Sequence, residues 1–170
     1  MNIRKVFVFT VSMCVILPAY AGVTITDAWV KATMPGQTTA AAYLQIKSDA
    51  AAKLVGVSSS AAKVVQIHEM KMQGNVMQMR AVDSLDLPAG TAVEFKPGGY
   101  HIMLSEISQP LKPGVTVPLT LTIEGTDKRR QTIEVKAEVR SAMAMEKHDD
   151  MKDMGNMKDM GGMKGMGNGY

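Results

Sequence analysis

The chain has 170 residues, with 19 basic and 16 acidic side chains, 16 methionines, 3 histidines, one cysteine and only 5% aromatic residues. Arg4 and Lys5 belong to an N-terminal leader, and its removal lowers the basic count from 19 to 17, against 16 acidic residues. That near balance, with so few aromatics, gives no electrostatic ground for a nucleic-acid partner.

Residues 1–21 read as a cleaved signal peptide. Arg4 and Lys5 form its charged start, Val6 to Leu17 its apolar stretch, and Ala19-Tyr20-Ala21 a small-x-small cleavage site, so the exported chain begins at Gly22. The apolar stretch is too short to span a bilayer comfortably, and no later segment is apolar enough, so no membrane insertion is expected. Cys14 lies inside the apolar stretch, after Met13 rather than a small residue, which argues against a lipid-anchoring cysteine. The exported chain then holds no thiol and no disulfide, which suits an oxidising compartment and rules out a blue-copper centre, since that needs a cysteine thiolate.

Residues 22–142 have the length of one domain and an all-β pattern. Strands are predicted over Thr24–Ala32, Ala40–Ser48, Ala52–Val57, Lys63–Met72, Val76–Val82, Thr91–Phe95, His101–Ser105, Thr116–Glu124 and Gln131–Val139. Glycine and proline punctuate them at Met34-Pro35-Gly36, Gln73-Gly74-Asn75, Leu87-Pro88-Ala89-Gly90, Lys96-Pro97-Gly98-Gly99 and Lys112-Pro113-Gly114. Val117, Leu119, Leu121 and Ile123 alternate with polar residues, as do Ile133 and Val135. Such alternation buries one face of a sheet and points to a β-sandwich. Trp29 is expected to anchor its core. No helical stripe of useful length is present.

Residues 143–170 differ abruptly. They contain no β-branched residue, no Leu and no Phe, so they cannot build a core and are expected to be a disordered, methionine-rich tail. Met151, Met154, Met157, Met160, Met163 and Met166 fall at every third position, and His148 precedes them beside Asp149 and Asp150.

The chemistry concentrates on three strands. Residues two apart on a strand share a face, so His68 projects with Met70 and Met72, Met77 with Met79, and His101 with Met103. A turn at Gln73-Gly74-Asn75 closes the first two strands into a hairpin. Two imidazoles and two thioethers, from His68, Met79, His101 and Met103, make a neutral, soft donor set that suits Cu(I). Met70, Met72 and Met77 have an equal claim as packing residues, since methionine commonly fills cores. The tail methionines offer a secondary set for Cu(I), while His148 and its two aspartates favour Cu(II). His68-Glu69-Met70-Lys71-Met72 lacks the second histidine of a zinc-protease HExxH motif, and no catalytic triad, paired-carboxylate or phosphate-loop arrangement occurs, so no enzymatic activity is expected.

With these residues in place the chain resembles the periplasmic PCu(A)C copper chaperones. Their pattern of His, ten residues, Met, twenty-one residues and His-x-Met is met by His68, Met79, His101 and Met103. The likeness extends over Asp27-Ala28-Trp29-Val30-Lys31-Ala32, Met34-Pro35-Gly36, Lys96 to Leu104 and Val117 to Leu121, with Lys31 where an arginine is common. The resemblance implies a cupredoxin-like Greek-key sandwich in the periplasm. It also implies a Cu(I) carrier that delivers to the CuA centre of cytochrome c oxidase subunit II, directly or with a Sco-type thiol protein. A copper-sequestering resistance protein, dominated by the tail, is the competing expectation. A monomer is expected, although exposed methionines can bridge two copies through copper.

Overall fold

The computed structural model describes residues 22–141. The leader, His148 and the tail methionines Met151, Met154, Met157, Met160, Met163 and Met166 lie outside those residues. Ten strands follow in chain order: β1 (Val23–Lys31), β2 (Thr39–Ser48), β3 (Ala52–Ser58), β4 (Ala62–Gln73), β5 (Val76–Val82), β6 (Leu85–Leu87), β7 (Ala92–Phe95), β8 (Tyr100–Ile107), β9 (Thr116–Gly125) and β10 (Arg130–Arg140). Nine of them overlap the nine predicted strands. The tenth, β6, is a three-residue strand paired with β3.

The strands join in the order β5-β4-β8-β7-β2-β1-β10-β9-β3-β6, with β8 also paired to β2. Inward side chains from β2, β4 and β8 share one hydrophobic core with those of β3, β9 and β10. One core shared by distant strands requires the sheet to fold back on itself, so the all-β sandwich architecture holds. The alternation in β9 does what its sequence dictates: Val117, Leu119, Leu121 and Ile123 are all buried. Leu121 on β9 is fully buried, as are Ile46 on β2 and Ile102 and Leu104 on β8, the strands that share this core with it. Among the described residues no helix is long and apolar enough to cross a membrane.

Trp29 corrects the expectation of a core anchor. It is buried, but it lies outside the main hydrophobic cluster that fills the sandwich. The cause is a β-bulge between Thr26 and Trp29. Upstream of it Ile25 pairs with Ile46, a core residue; downstream Trp29 pairs with Tyr43, while Val30 faces the core with Ala42. One inserted residue exchanges the two faces of a strand. Asp27 accommodates the insertion in the left-handed region at φ 48°, and its carboxylate lies 2.9 Å from the Arg140 guanidinium. A short polar side chain is among the few non-glycine types that tolerate that conformation.

Candidate metal centre

β4 and β8 run antiparallel, in a register that sets His68 directly opposite His101. Their rings meet edge to face, with centroids 5.6 Å apart. Met103, two residues beyond His101, shares its face and stands opposite Gln66. β5 closes the other side of β4 through the predicted hairpin, with Gly74 at φ 62° in the turn. Directly across from His68 on β5 is Ala81; Met79 stands opposite Met70, diagonal to His68. The histidines thus form the one directly opposed pair among the four predicted ligands. Met103 and Met79 flank that pair on the same face, toward opposite ends of the strands. Ala41 of β2, opposite Met103, and Ala81 are both small, which keeps the surroundings of the imidazoles open.

The imidazoles are prepared differently. His101 is only 6% exposed, and its Nδ1–H donates to the Gly99 carbonyl at 3.3 Å. A carbonyl can only accept, so the ring's lone pair sits on Nε2. The same carbonyl accepts the Met70 backbone N–H at 3.1 Å, tying the hairpin to the His101 ring. In His68, Nε2 lies 3.5 Å from the Gln66 amide oxygen, at the limit of a hydrogen bond. Its Nδ1 is buried without a partner. A buried nitrogen left unpaired costs about 1–3 kcal/mol, a cost that a bound ion offsets. The two rings therefore present different nitrogens, Nδ1 of His68 and Nε2 of His101.

Burial lowers the His68 pKa from its ordinary value, and the neighbouring His101 lowers it further. Both causes keep the ring neutral and able to ligate. The sign for folding follows from a depressed histidine value. As pH falls below about 6.5 the unfolded chain takes up the proton before the folded one. The contribution of His68 to stability is thus complete above that pH and diminishes as pH falls toward its folded-state value. In the metal-free chain, a proton NMR titration is expected to place the His68 midpoint below that of an ordinary histidine. A midpoint at or above the ordinary value would contradict the burial and His101 effects.

An aromatic row extends the same face away from the hairpin. Tyr43 lies 6.5 Å from His101 and 4.4 Å from Trp29, measured between ring centroids, and the Arg140 guanidinium caps Trp29 at 5.9 Å. Sequence reasoning missed Tyr43 and Gln66. The alternation of Ala40, Ala42, Leu44 and Ile46 toward the core places Tyr43 on the other face, but nothing in the sequence brings β2 beside β8. Beneath the site, Glu69 accepts from the Tyr100 hydroxyl at 3.2 Å and pairs with Arg80 at 3.4 Å, fastening β4 between its neighbours. Among the described residues no three His, Cys, Asp or Glu side chains gather as a metal site.

Comparison with known proteins places these features among relatives. The family profile "Putative lipoprotein LpqE-like" matches residues 23–139. The "Putative lipoprotein Lxx21020" of Leifsonia xyli subsp. xyli is 37% identical over 101 residues, which is 59% of this chain and 61% of that protein. The chain thus spans less than two thirds of that curated relative. Among solved structures, the copper-bound PCuAC domain of PmoF2 is 26% identical with a TM-score of 0.53, over 72% of this chain and 97% of that one. The solution structure of the Cu(I) form of DR1885 from Deinococcus radiodurans is 32% identical with a TM-score of 0.53, over 70% of this chain and 78% of that one.

Proposed function

The chain belongs to the LpqE-like family, and from that membership and the ligand geometry we infer that it is an exported Cu(I) carrier, not an enzyme. The observation that carries this reading is the pairing of His68 with His101 between flanking methionines, with the buried Nδ1 of His68 unpartnered. The lipoprotein descriptions of the family and of the Leifsonia relative support export. The copper named in the PmoF2 and DR1885 structures supports the identity of the cargo.

His68, Met79, His101 and Met103 supply four uncharged donors. Two thioethers among them favour Cu(I) over Cu(II) and over harder divalent ions. The site lies on a face whose hairpin side is open, since Met79 is 50% exposed. Neutral ligands on an open face can leave the ion one at a time as an acceptor's ligands replace them. Copper then passes down an affinity gradient without a bare ion in solution, unlike a closed structural site. The acceptor in this account is the CuA centre of cytochrome c oxidase subunit II, reached directly or with a Sco-type thiol protein. Thiolates bind Cu(I) more strongly than thioethers, which sets the direction of transfer.

The test is anaerobic mixing of the Cu(I)-loaded chain with a reduced apo CuA domain, followed by separation and metal analysis. The expected result is copper on the CuA domain, with the carrier emptied. Copper retained by the carrier, with and without a Sco-type partner, would leave sequestration as the better account. Trp29 provides a second readout, as the single tryptophan of the chain. Its stacking on Tyr43, beside His101, is expected to alter its emission as the first equivalent of Cu(I) binds. A spectrum unchanged through that equivalent would place the ion elsewhere.

A further inference from the structure

The hairpin carries more thioethers than the histidine site uses. In the β4–β5 register Met70 is directly opposite Met79, and Met72 directly opposite Met77. Directly opposed residues lie on the same face, so four methionines form a ladder of two rungs. That ladder adjoins the histidine pair. His68 and Met70 are spaced on β4 as His101 and Met103 are on β8, and the strands are antiparallel with the histidines opposed. Met70 therefore stands to His68 as Met103 stands to His101, through a local two-fold relation. From Met70 the ladder runs outward to the turn.

Packing does not explain the outer rung. Met72 is 58% exposed and Met77 50%, and neither joins the hydrophobic core. Exposed strand positions are normally polar, as Lys71, Gln73 and Gln78 are on the other face of this hairpin, whereas this face carries methionine at both outer positions. Opposed side chains start about 4.5–5.5 Å apart at Cβ, and successive rungs are separated by about 7 Å, two strand rises. Three rotatable bonds let each methionine swing its sulfur across such a gap. Three or four thioethers can thus converge on one ion between the rungs.

We propose that Met70, Met72, Met77 and Met79 form a second Cu(I) site, contiguous with the histidine pair and sharing Met79 with it. Its donors are thioethers alone, so it takes a soft monovalent ion and holds it more loosely than the histidine site does. It receives an ion at the exposed end of the hairpin and passes it along Met70 and Met79 to the imidazoles by stepwise ligand exchange, with no change of oxidation state. The proposal rests on the Cu(I) reading above.

The test is an anaerobic Cu(I) titration of residues 22–170, tail included, with methyl-labelled methionine, following each methyl and the two histidine rings by NMR. Met72→Leu and Met77→Leu variants assign the outer rung. Joint shifts of the Met72 and Met77 methyls are expected after the rings of His68 and His101 have responded. The double variant M72L/M77L is expected to bind one copper fewer at saturation. If the Met72 and Met77 methyls keep their free positions when every tail methionine has shifted, the second site does not exist. If they shift while both histidine rings never respond, the hairpin site stands and the histidine reading fails.

Discussion

Replacing His101 by alanine is expected to abolish tight Cu(I) binding by the described domain, weakening it by at least about a hundredfold. The bound reflects the 10–100-fold that is commonly lost when only a group supporting a ligand is removed. His101 is the most enclosed of the proposed ligands, at 6% exposure, and the most firmly oriented. Its Nδ1–H is held by Gly99, and its ring sits between His68 and Tyr43. Neither methionine can replace an oriented imidazole from its position on the flank. Affinity is measured by anaerobic competition with a chromogenic Cu(I) chelator on residues 22–142, which leaves the tail out. His101→Gln, closer in volume, separates ligand loss from loss of packing, and unchanged circular dichroism checks the fold. Parent affinity in both variants would remove His101 from the site.

Ile102→Ala is expected to lower unfolding stability by about 2–5 kcal/mol, the usual cost of emptying a fully buried branched side chain. Against a total of about 5–15 kcal/mol for a single domain this is a large fraction. Ile102 is fully buried, opposite Ile67 on β4 and Ala42 on β2, so it packs on the inner side of the strand whose outer side carries His101 and Met103. The cavity would form directly behind both ligands. Urea unfolding of the metal-free protein measures the loss, and a change below about 1 kcal/mol would mean that the core collapses around the deletion. Cu(I), by binding the folded form alone, is expected to restore part of the lost stability in proportion to its affinity.

Much of this architecture was legible because alternation is a local property. The hydrophobic face of β9 follows from Val117, Leu119, Leu121 and Ile123 without reference to the rest of the chain. The hairpin turn at Gly74 follows from a glycine in a left-handed conformation between two β-rich runs. β6 was missed because Leu85-Asp86-Leu87 is too short to show a period, and only its pairing with β3 makes it a strand. Trp29 was misplaced because the bulge at Asp27 reverses inside and outside within one strand, and an isolated aspartate does not announce that. The four proposed ligands rest on spacing and softness, which are legible in the sequence. The opposition of His68 and His101 is not, because it depends on β8 pairing with β4 across intervening strands β5, β6 and β7.

The two copper accounts divide the chain differently. A carrier depends on the face built by β5, β4 and β8, with the methionine-rich residues 143–170 raising local copper by tethering. A sequestering protein depends on that tail, and His68 and His101 would be incidental. The described domain favours the carrier, because an orphaned buried imidazole nitrogen beside a second oriented imidazole has no evident structural purpose. Exposed packing residues would also be an odd choice for Met72 and Met77.

The most direct test is X-ray absorption at the copper edge on residues 22–170 loaded anaerobically with one equivalent of Cu(I). The account predicts a first shell of both nitrogen and sulfur, with the outer-shell scattering of two imidazoles, and a weakened imidazole signal in the His101→Ala variant. A first shell of sulfur alone would place the tightest site among methionines and contradict the histidine-centred carrier.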